Sequence, residues 1–380
     1  ERRTEIQGKA ADLATEDLIA EEEMVVTVSH AGYVKRNAVS AYRAQRRGGR
    51  GKTGASAREE DFLESLFVAS THSFLLVFSD RGRVYWLKVH EIPQAGRTAR
   101  GKPIVNLVQL SQGEKVAAIL PVRRLPEPPS NGDEAAADAT VEVNGGAEAT
   151  GEATQYVFLA TRRGIIKKTR LDQFARPRAA GIIALGIEEG DELIAARITD
   201  GKSHILLSTA QGIAIRFEEG DVRAMGRSAY GVKGITLEDG DEVVAAESLP
   251  AGAEGENAPT ILTVTKNGYG KRTELAEYRV QSRGGKGIIT IKTTERNGPV
   301  VAASAVTDAE EVMLITNGGM LIRMAAKGIS VIGRNTQGVR LIALESKEES
   351  VVAVAGVAET SHEAAEAGVQ EAPAEGTAAP

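Results

Sequence analysis

The chain predicts an all-β protein made of six similar units closed into a propeller-like ring. Three observations carry this. Short runs of β-branched and apolar residues recur, each followed by a glycine turn and a second run. The turn glycines Gly32, Gly82, Gly164, Gly212, Gly268 and Gly319 lie 50, 82, 48, 56 and 51 residues apart. Glycine makes up 41 of 380 residues, well above the ordinary share of about 7%, while aromatic residues are only 4%. A period near fifty with four strand-like runs per unit marks a propeller array. Closure into a ring protects the sheet edges.

The elements follow in order. Residues 1–23 form a lead-in with helical propensity over Ala11–Glu23; the absence of an initial Met suggests a piece of a longer chain. The ring is expected over 24–357. Its units open with Met24–Ser29, Phe74–Ser79, Tyr156–Thr161, His204–Thr209, Ile261–Thr265 and Val312–Thr316. The third unit illustrates the four runs: Tyr156–Thr161, Ile165–Thr169, Gly181–Ile187 and Leu193–Thr199. Glycine at the hairpin turns takes positive φ without steric penalty. The first unit departs from the pattern, because Phe62–Ser70 is short and fits strand or helix. The spacing of 82 contains a 28-residue insert, 126–153; without it the spacing is 54. This insert and the tail 358–380 are rich in Ala, Glu, Gly and Pro and poor in large apolar residues. Both are expected to be disordered.

Charge is segregated. The formal net charge of −6 argues against a polyanion partner when taken alone. Yet residues 1–23, 126–153 and 345–380 together hold 23 acids and 4 bases, leaving 42 bases against 29 acids elsewhere, a net of +13. Residues 24–125 alone reach +10. The acidic segments are either solvated connectors or competitors for the basic body. There is no cysteine, so disulfides, thiolate metal sites and cysteine nucleophiles are excluded. No run is long enough to span a membrane and no signal peptide is visible, so a cytoplasmic protein is expected.

Two cationic positions repeat. Four residues after the turn glycine stand Arg36, Lys168, Arg216, Arg272 and Arg323, with Trp86 in the second unit. The loop after the second strand repeats Arg-x-x-x-Gly at Arg47–Gly51, Arg97–Gly101, Arg227–Gly231, Arg283–Gly287 and Arg334–Gly338, shortened to Arg178–Gly181 in the third unit. In a ring these positions form a band of cations on one rim, to which Lys35, Arg100, Lys102 and Lys286 add. Such a band suits duplex DNA, a uniformly charged polyanion whose counterions the cations release. Glycine beside arginine lets backbone N–H groups approach a phosphate, and arginine adds bidentate contacts. No base-reading helix is present, so sequence-independent binding is expected, tuned by DNA bendability. Scarce aromatics disfavour single strands, which are held by stacking.

Other chemistry finds little support. Gly51-Lys52-Thr53 resembles the end of a phosphate-binding loop, but the position five residues earlier is Arg46 where that motif needs glycine. The five histidines show no metal-ligand spacing, acidic pairs such as Glu188-Glu189 sit in turns, and no serine lies in a nucleophile elbow.

The densest motif is Gln45-Arg46-Arg47-Gly48-Gly49-Arg50-Gly51, followed by Lys52. It resembles the signature box of the DNA gyrase A C-terminal domain. Met24–Arg36, Arg81–Tyr85 and Gly101–Leu107 resemble that family's first two blades, and Gln281–Gly287 is a degenerate copy of the box. The resemblance spans about residues 12–357. It implies a six-bladed β-pinwheel whose blades exchange strands and whose rim wraps duplex DNA with positive handedness. It implies DNA contacts for the box residues Gln45 through Lys52. It also implies partners: the strand-passing core of the same polypeptide, and the gyrase B protein in an A2B2 enzyme that introduces negative supercoils. ATP, Mg2+ and the catalytic residues would lie outside this chain, which needs no cofactor itself. Localisation would be cytoplasmic, at the nucleoid. The alternatives are the equivalent domain of topoisomerase IV, usually with a degenerate box, and a propeller that scaffolds proteins.

Overall fold

A computed structural model describes residues 18–29, 32–38, 63–96, 99–126, 154–253, 258–317, 320–344, 346 and 348–357. The box Gln45–Lys52, Arg97, most of the acidic insert and the tail lie outside these residues. The described residues form six antiparallel sheets, five of four strands and the last of three. No helix other than short 3-10 turns occurs among them.

Each sheet is built alike. In the fourth, the hairpin His204–Thr209 and Ile213–Glu218 pairs Leu207 with Ile215, and Val243–Leu249 adds on the far side of the first strand. Both hairpin strands are buried almost throughout, so Ile, Leu, Ala and Phe cover both faces of the sheet. Gly212, with φ at 83°, closes its turn. The ambiguous stretch of the first unit is a strand, Leu63–Ser70, pairing Val26 with Phe67. Of the lead-in, residues 1–17 lie outside the described residues; Glu23 already belongs to the first strand, and the carbonyls of Ile19 and Ala20 are held by His72 and Thr71.

The fourth strand of each four-stranded sheet is only two residues long and is lent by the following unit. Lys102–Pro103 pairs with Tyr33 and Val34, Ile182–Ile183 with Arg83 and Val84, and Val232–Lys233 with Ile165 and Ile166. Ile288–Ile289 and Val339–Arg340 repeat this on the fourth and fifth sheets. The run expected at Gly181–Ile187 is thus a two-residue strand that completes the preceding blade.

The hydrophobic core lies between blades. Leu76, Phe78, Val157 and Phe174 fill the gap between the second and third blades, and Phe158, Ile205, Leu207 and Phe217 the next. The long strands of the second to sixth blades line up one beside the next, and Val351–Val357 lies against both Val300–Val306 and Leu63–Ser70. The sixth blade therefore packs beside the first, and the ring closes.

Candidate nucleic-acid interface

The Arg-x-x-x-Gly loops of the third to sixth units are joined into a rim. Among the described residues each loop precedes a lent strand, so each is carried onto the preceding blade. Its closing glycine makes this possible. Gly231 and Gly287 have φ of 96° and 75°, and a Cβ there would stand 2.5 Å from the Ile166 carbonyl and 2.6 Å from that of Ala214. The expectation that this glycine admits a phosphate is corrected: it admits the strand of the neighbouring blade.

Successive loops are then stitched together. The Gly284 N–H donates to Gly234 O at 2.7 Å and the Thr236 N–H to Gly285 O at 2.9 Å; the Gly186 N–H bonds to Ala229 O and the Lys292 N–H to Thr336 O in the same way. The arginines join in. Arg283 donates to Lys233 O and Asp221 O, and Arg334 to Ile289 O. Both are half-buried, with part of each guanidinium committed to the preceding loop. Arg227 is also half-buried, whereas Arg178, Arg100, Lys102 and Lys286 are exposed. Arg100 stacks over the Tyr33 ring, 3.8 Å from its centroid. Lys286 pairs with Glu238 at 2.9 Å, which raises its pKa, and Arg334 lies 3.6 Å from Glu277. Lys286 and Arg334 line a groove between two adjacent loops, with Glu238 and Asn335 on its walls.

The fourth-position cations are elsewhere. Lys168, Arg216 and Arg272 are only 6%, 7% and 3% exposed. Each reaches into the next unit and caps carbonyls at the 3-10 turn after that unit's second strand. Arg36 donates to Ile92 O and His90 O, Lys168 to Glu219 O, Arg216 to Leu275 O and Tyr278 O, and Arg272 to Ile329 O. Arg272 also pairs with Asp308, and Lys168 lies 3.6 Å from the buried Glu219 carboxylate. Burial lowers the Lys168 pKa, with Glu219 opposing. These residues latch blade to blade. Arg323, in the sixth unit, is exposed and pairs with Glu311. Lys35, expected on the rim, is 2% exposed and donates to Ala99 O at 2.8 Å. A rim role for Lys35, Lys168, Arg216 and Arg272 is therefore corrected. A desolvated cation whose donors are spent on carbonyls is not free to meet a phosphate.

Sequence reasoning missed other cations. Arg223 and Arg279 stand exposed four residues before Arg227 and Arg283, and Lys233 and Arg340 occupy the outward position of the lent strands. Arg340 and Arg296 converge on one phenol: their guanidiniums donate to Tyr269 Oη at 3.1 and 3.3 Å. Arg296 and then Arg340 hold the Tyr269 hydroxyl below its usual pKa. Neither arginine forms an ion pair among the described residues, which leaves their remaining N–H groups for an external anion. Lent-strand spacing gives away Lys233 and Arg340; nothing periodic marks Arg296.

A ring of six such units is matched in known proteins. The sequence matches the family described as DNA gyrase C-terminal domain, beta-propeller, over residues 23–70, 73–123, 155–200, 203–250, 259–307 and 310–358, one segment per blade. The chain belongs to this family. The DNA gyrase A protein of Salmonella typhimurium is 49% identical over 359 residues, 94% of this chain and 37% of that protein. Its counterpart in Staphylococcus aureus is 44% identical over 96% of this chain and 38% of its own length. The chain thus spans a little over a third of these relatives. A solved structure of a DNA gyrase A C-terminal domain superposes with a TM-score of 0.67 at 25% identity, covering 88% of this chain and 99% of that one. The C-terminal domain of DNA topoisomerase IV shares the fold at the same TM-score and 22% identity, covering 90% and 94%. Among the described residues no helix is long and apolar enough to cross a membrane.

Proposed function

We propose that this chain binds duplex DNA along its rim and wraps it with positive handedness, largely without reading sequence. One observation carries the reading: in a gyrase-family ring, successive Arg-x-x-x-Gly loops are hydrogen-bonded edge to edge and bear exposed cations along their length. A rigid curved band of this kind offers phosphates fixed donors with little ordering cost. The contact set is Arg100, Lys102, Arg178, Arg223, Arg227, Lys233, Arg279, Arg283, Lys286, Arg334 and Arg340, with Arg97 and Arg323 as further candidates. The box Gln45–Lys52 carries four cations in eight residues and is assigned the principal contact.

Wrapping would present a DNA segment to the strand-passing core of the same polypeptide. With the gyrase B protein in an A2B2 enzyme, ATP-driven strand passage would then introduce negative supercoils. The domain itself contributes no catalytic residue and no cofactor; ATP and Mg2+ act elsewhere in the enzyme, in the cytoplasm at the nucleoid.

The test is a topology assay. The chain is bound to singly nicked plasmid, the nick is ligated, and the products are resolved by two-dimensional gel electrophoresis. Positive topoisomers are expected, in proportion to bound protein. An unshifted distribution overturns wrapping, and negative topoisomers overturn the assigned handedness.

A further inference from the structure

Three lysines occupy the same buried place in alternate blades. Lys35, Lys167 and Lys271 each stand three residues after the turn glycine of the first, third and fifth units. They are 2%, 0% and 0% exposed. Their ammonium groups face the backbone of the Arg-x-x-x-Gly loop delivered by the next unit. Lys35 Nζ donates to Ala99 O at 2.8 Å and Gly96 O at 3.4 Å. Lys167 Nζ donates to Arg227 O at 2.5 Å, to Ala229 O at 3.1 Å and to Ala184 O at 2.8 Å. Lys271 Nζ donates to Gly333 O at 2.6 Å, Arg334 O at 2.7 Å and Thr336 Oγ1 at 3.1 Å. Neither Lys167 nor Lys271 forms an ion pair with a carboxylate among the described residues.

A buried ammonium without a directly paired carboxylate is costly. Burial, reinforced by the Arg227 charge, lowers the Lys167 pKa to about 7; burial brings Lys271 to about 8, opposed by the charge of Glu277 and aided by that of Arg334. The same cost recurs in alternate units, so the ammonium supplies something an apolar residue does not. What it supplies is a set of N–H donors converging on several backbone carbonyls of one loop at once. The even units carry Tyr85, Ile215 and Ile322 at this position. In the second and fourth units the loop rests on these side chains: a Cβ on Gly181 would meet the Tyr85 ring, and one on Gly285 would touch Ile215 at 3.5 Å.

We propose that Lys35, Lys167 and Lys271 are positioning residues that clamp the rim loop of the following unit, so that it presents its arginine to a DNA phosphate. The ring then alternates ammonium-clamped loops with loops seated on uncharged side chains. The DNA half of this inference rests on the rim reading above; the clamp does not.

The test uses Lys167→Met and Lys271→Met in the 380-residue chain. Methionine keeps the apolar stem and removes the donors. Amide exchange at 226–229 and 333–336 should accelerate roughly tenfold, the scale set by losing a charge-assisted hydrogen bond, while the rest of each blade is unaffected. The melting temperature should fall only modestly, because removing a buried charge offsets part of the cost of leaving the loop carbonyls unpaired. Duplex affinity should fall, with the log–log salt slope lower by about one per loosened loop. Unchanged loop exchange overturns the clamp, as does faster exchange across the whole blade. Loosened loops with unaltered affinity and slope overturn the link to DNA. A wild-type chain that binds no duplex overturns the rim reading, and loop exchange then still decides the clamp. If the methionine variants do not fold, Thr336→Val removes one acceptor of Lys271 together with the hydroxyl's own bond to Gly333 O and leaves the ammonium, and Thr336→Ser, which keeps both, should restore wild-type exchange. Thr336→Val should speed exchange at 333–336 alone, and no change there overturns the proposal.

Discussion

Trp86 donates its indole N–H to the carbonyl of Phe174 at 2.9 Å, at the position where four other units place the side chain of Arg36, Lys168, Arg216 or Arg272 on carbonyls of the next unit. The tryptophan shows what the fourth position after the turn glycine requires. It is a long side chain with a donor at its end, and a positive charge is incidental. A cation repeated from unit to unit has the look of a ligand contact, yet here it is a latch between blades.

Trp86→Phe keeps an aromatic ring and deletes the donor. It should lower stability by about 1–3 kcal/mol, the cost of leaving the Phe174 carbonyl unpaired. Urea denaturation followed by circular dichroism measures this, and duplex affinity in buffer should be unchanged.

Arg272→Met removes the equivalent latch between the fifth and sixth blades, with a loss of about 1–3 kcal/mol for the same reason. Its ion-pair partner Asp308 is 77% exposed on its side chain. Asp308→Asn should therefore cost less than about 1 kcal/mol, as solvent-screened pairs do. Comparing the two denaturation midpoints separates the carbonyl cap from the ion pair.

The loop glycines are not equivalent. Gly287→Ala meets both a φ of 75° and a backbone oxygen at 2.6 Å, and should cost about 2–5 kcal/mol. Gly285→Ala meets only ordinary contacts, the nearest with the end of Ile215 at 3.5 Å, and should stay within about 1 kcal/mol. Thermal melts of the two variants test whether the closing glycine is needed for seating the lent strand.

His204 accepts hydrogen bonds from Arg216 on Nδ1, at 2.7 and 3.1 Å. Burial and then the Arg216 charge hold its pKa below the usual 6.5, with Glu218 opposing. The unfolded chain therefore takes up a proton before the folded one does. Stability from this site is present above about pH 6.5 and is lost as the pH falls through the lower folded value. Denaturation midpoints measured from about pH 7.5 to about pH 5.5 should fall more steeply for the wild type than for His204→Gln.

The six-unit ring was legible because short runs of apolar and β-branched residues and turn glycines at a fifty-residue period leave a strong signal. The lent strands were not. Lys102–Pro103 and Val232–Lys233 are two residues long and have no periodicity; their place is set by the neighbouring blade. The loops of the rim were legible as Arg-x-x-x-Gly, but the reason for the glycine was not, because the close contact is with a strand from another unit. Burial separated rim from latch. Lys168 and Arg178 both belong to repeating cationic positions, yet one is 6% exposed beneath the next blade and the other faces solvent. Trp86 was the available hint, since an indole cannot replace a guanidinium at a phosphate.

The most direct measurement compares salt slopes of duplex affinity for two sets of variants. One removes the exposed rim cations Arg178, Lys233 and Arg279 as alanines; the other converts the latches Arg216 and Arg272 to Gln, which keeps a donor and deletes the charge. Fluorescence anisotropy across a range of salt concentrations gives the log–log slope for each. The rim set should lose about one unit of slope per cation removed, and the latch set should keep the wild-type slope. A reduced slope in the latch set with none in the rim set would contradict the account.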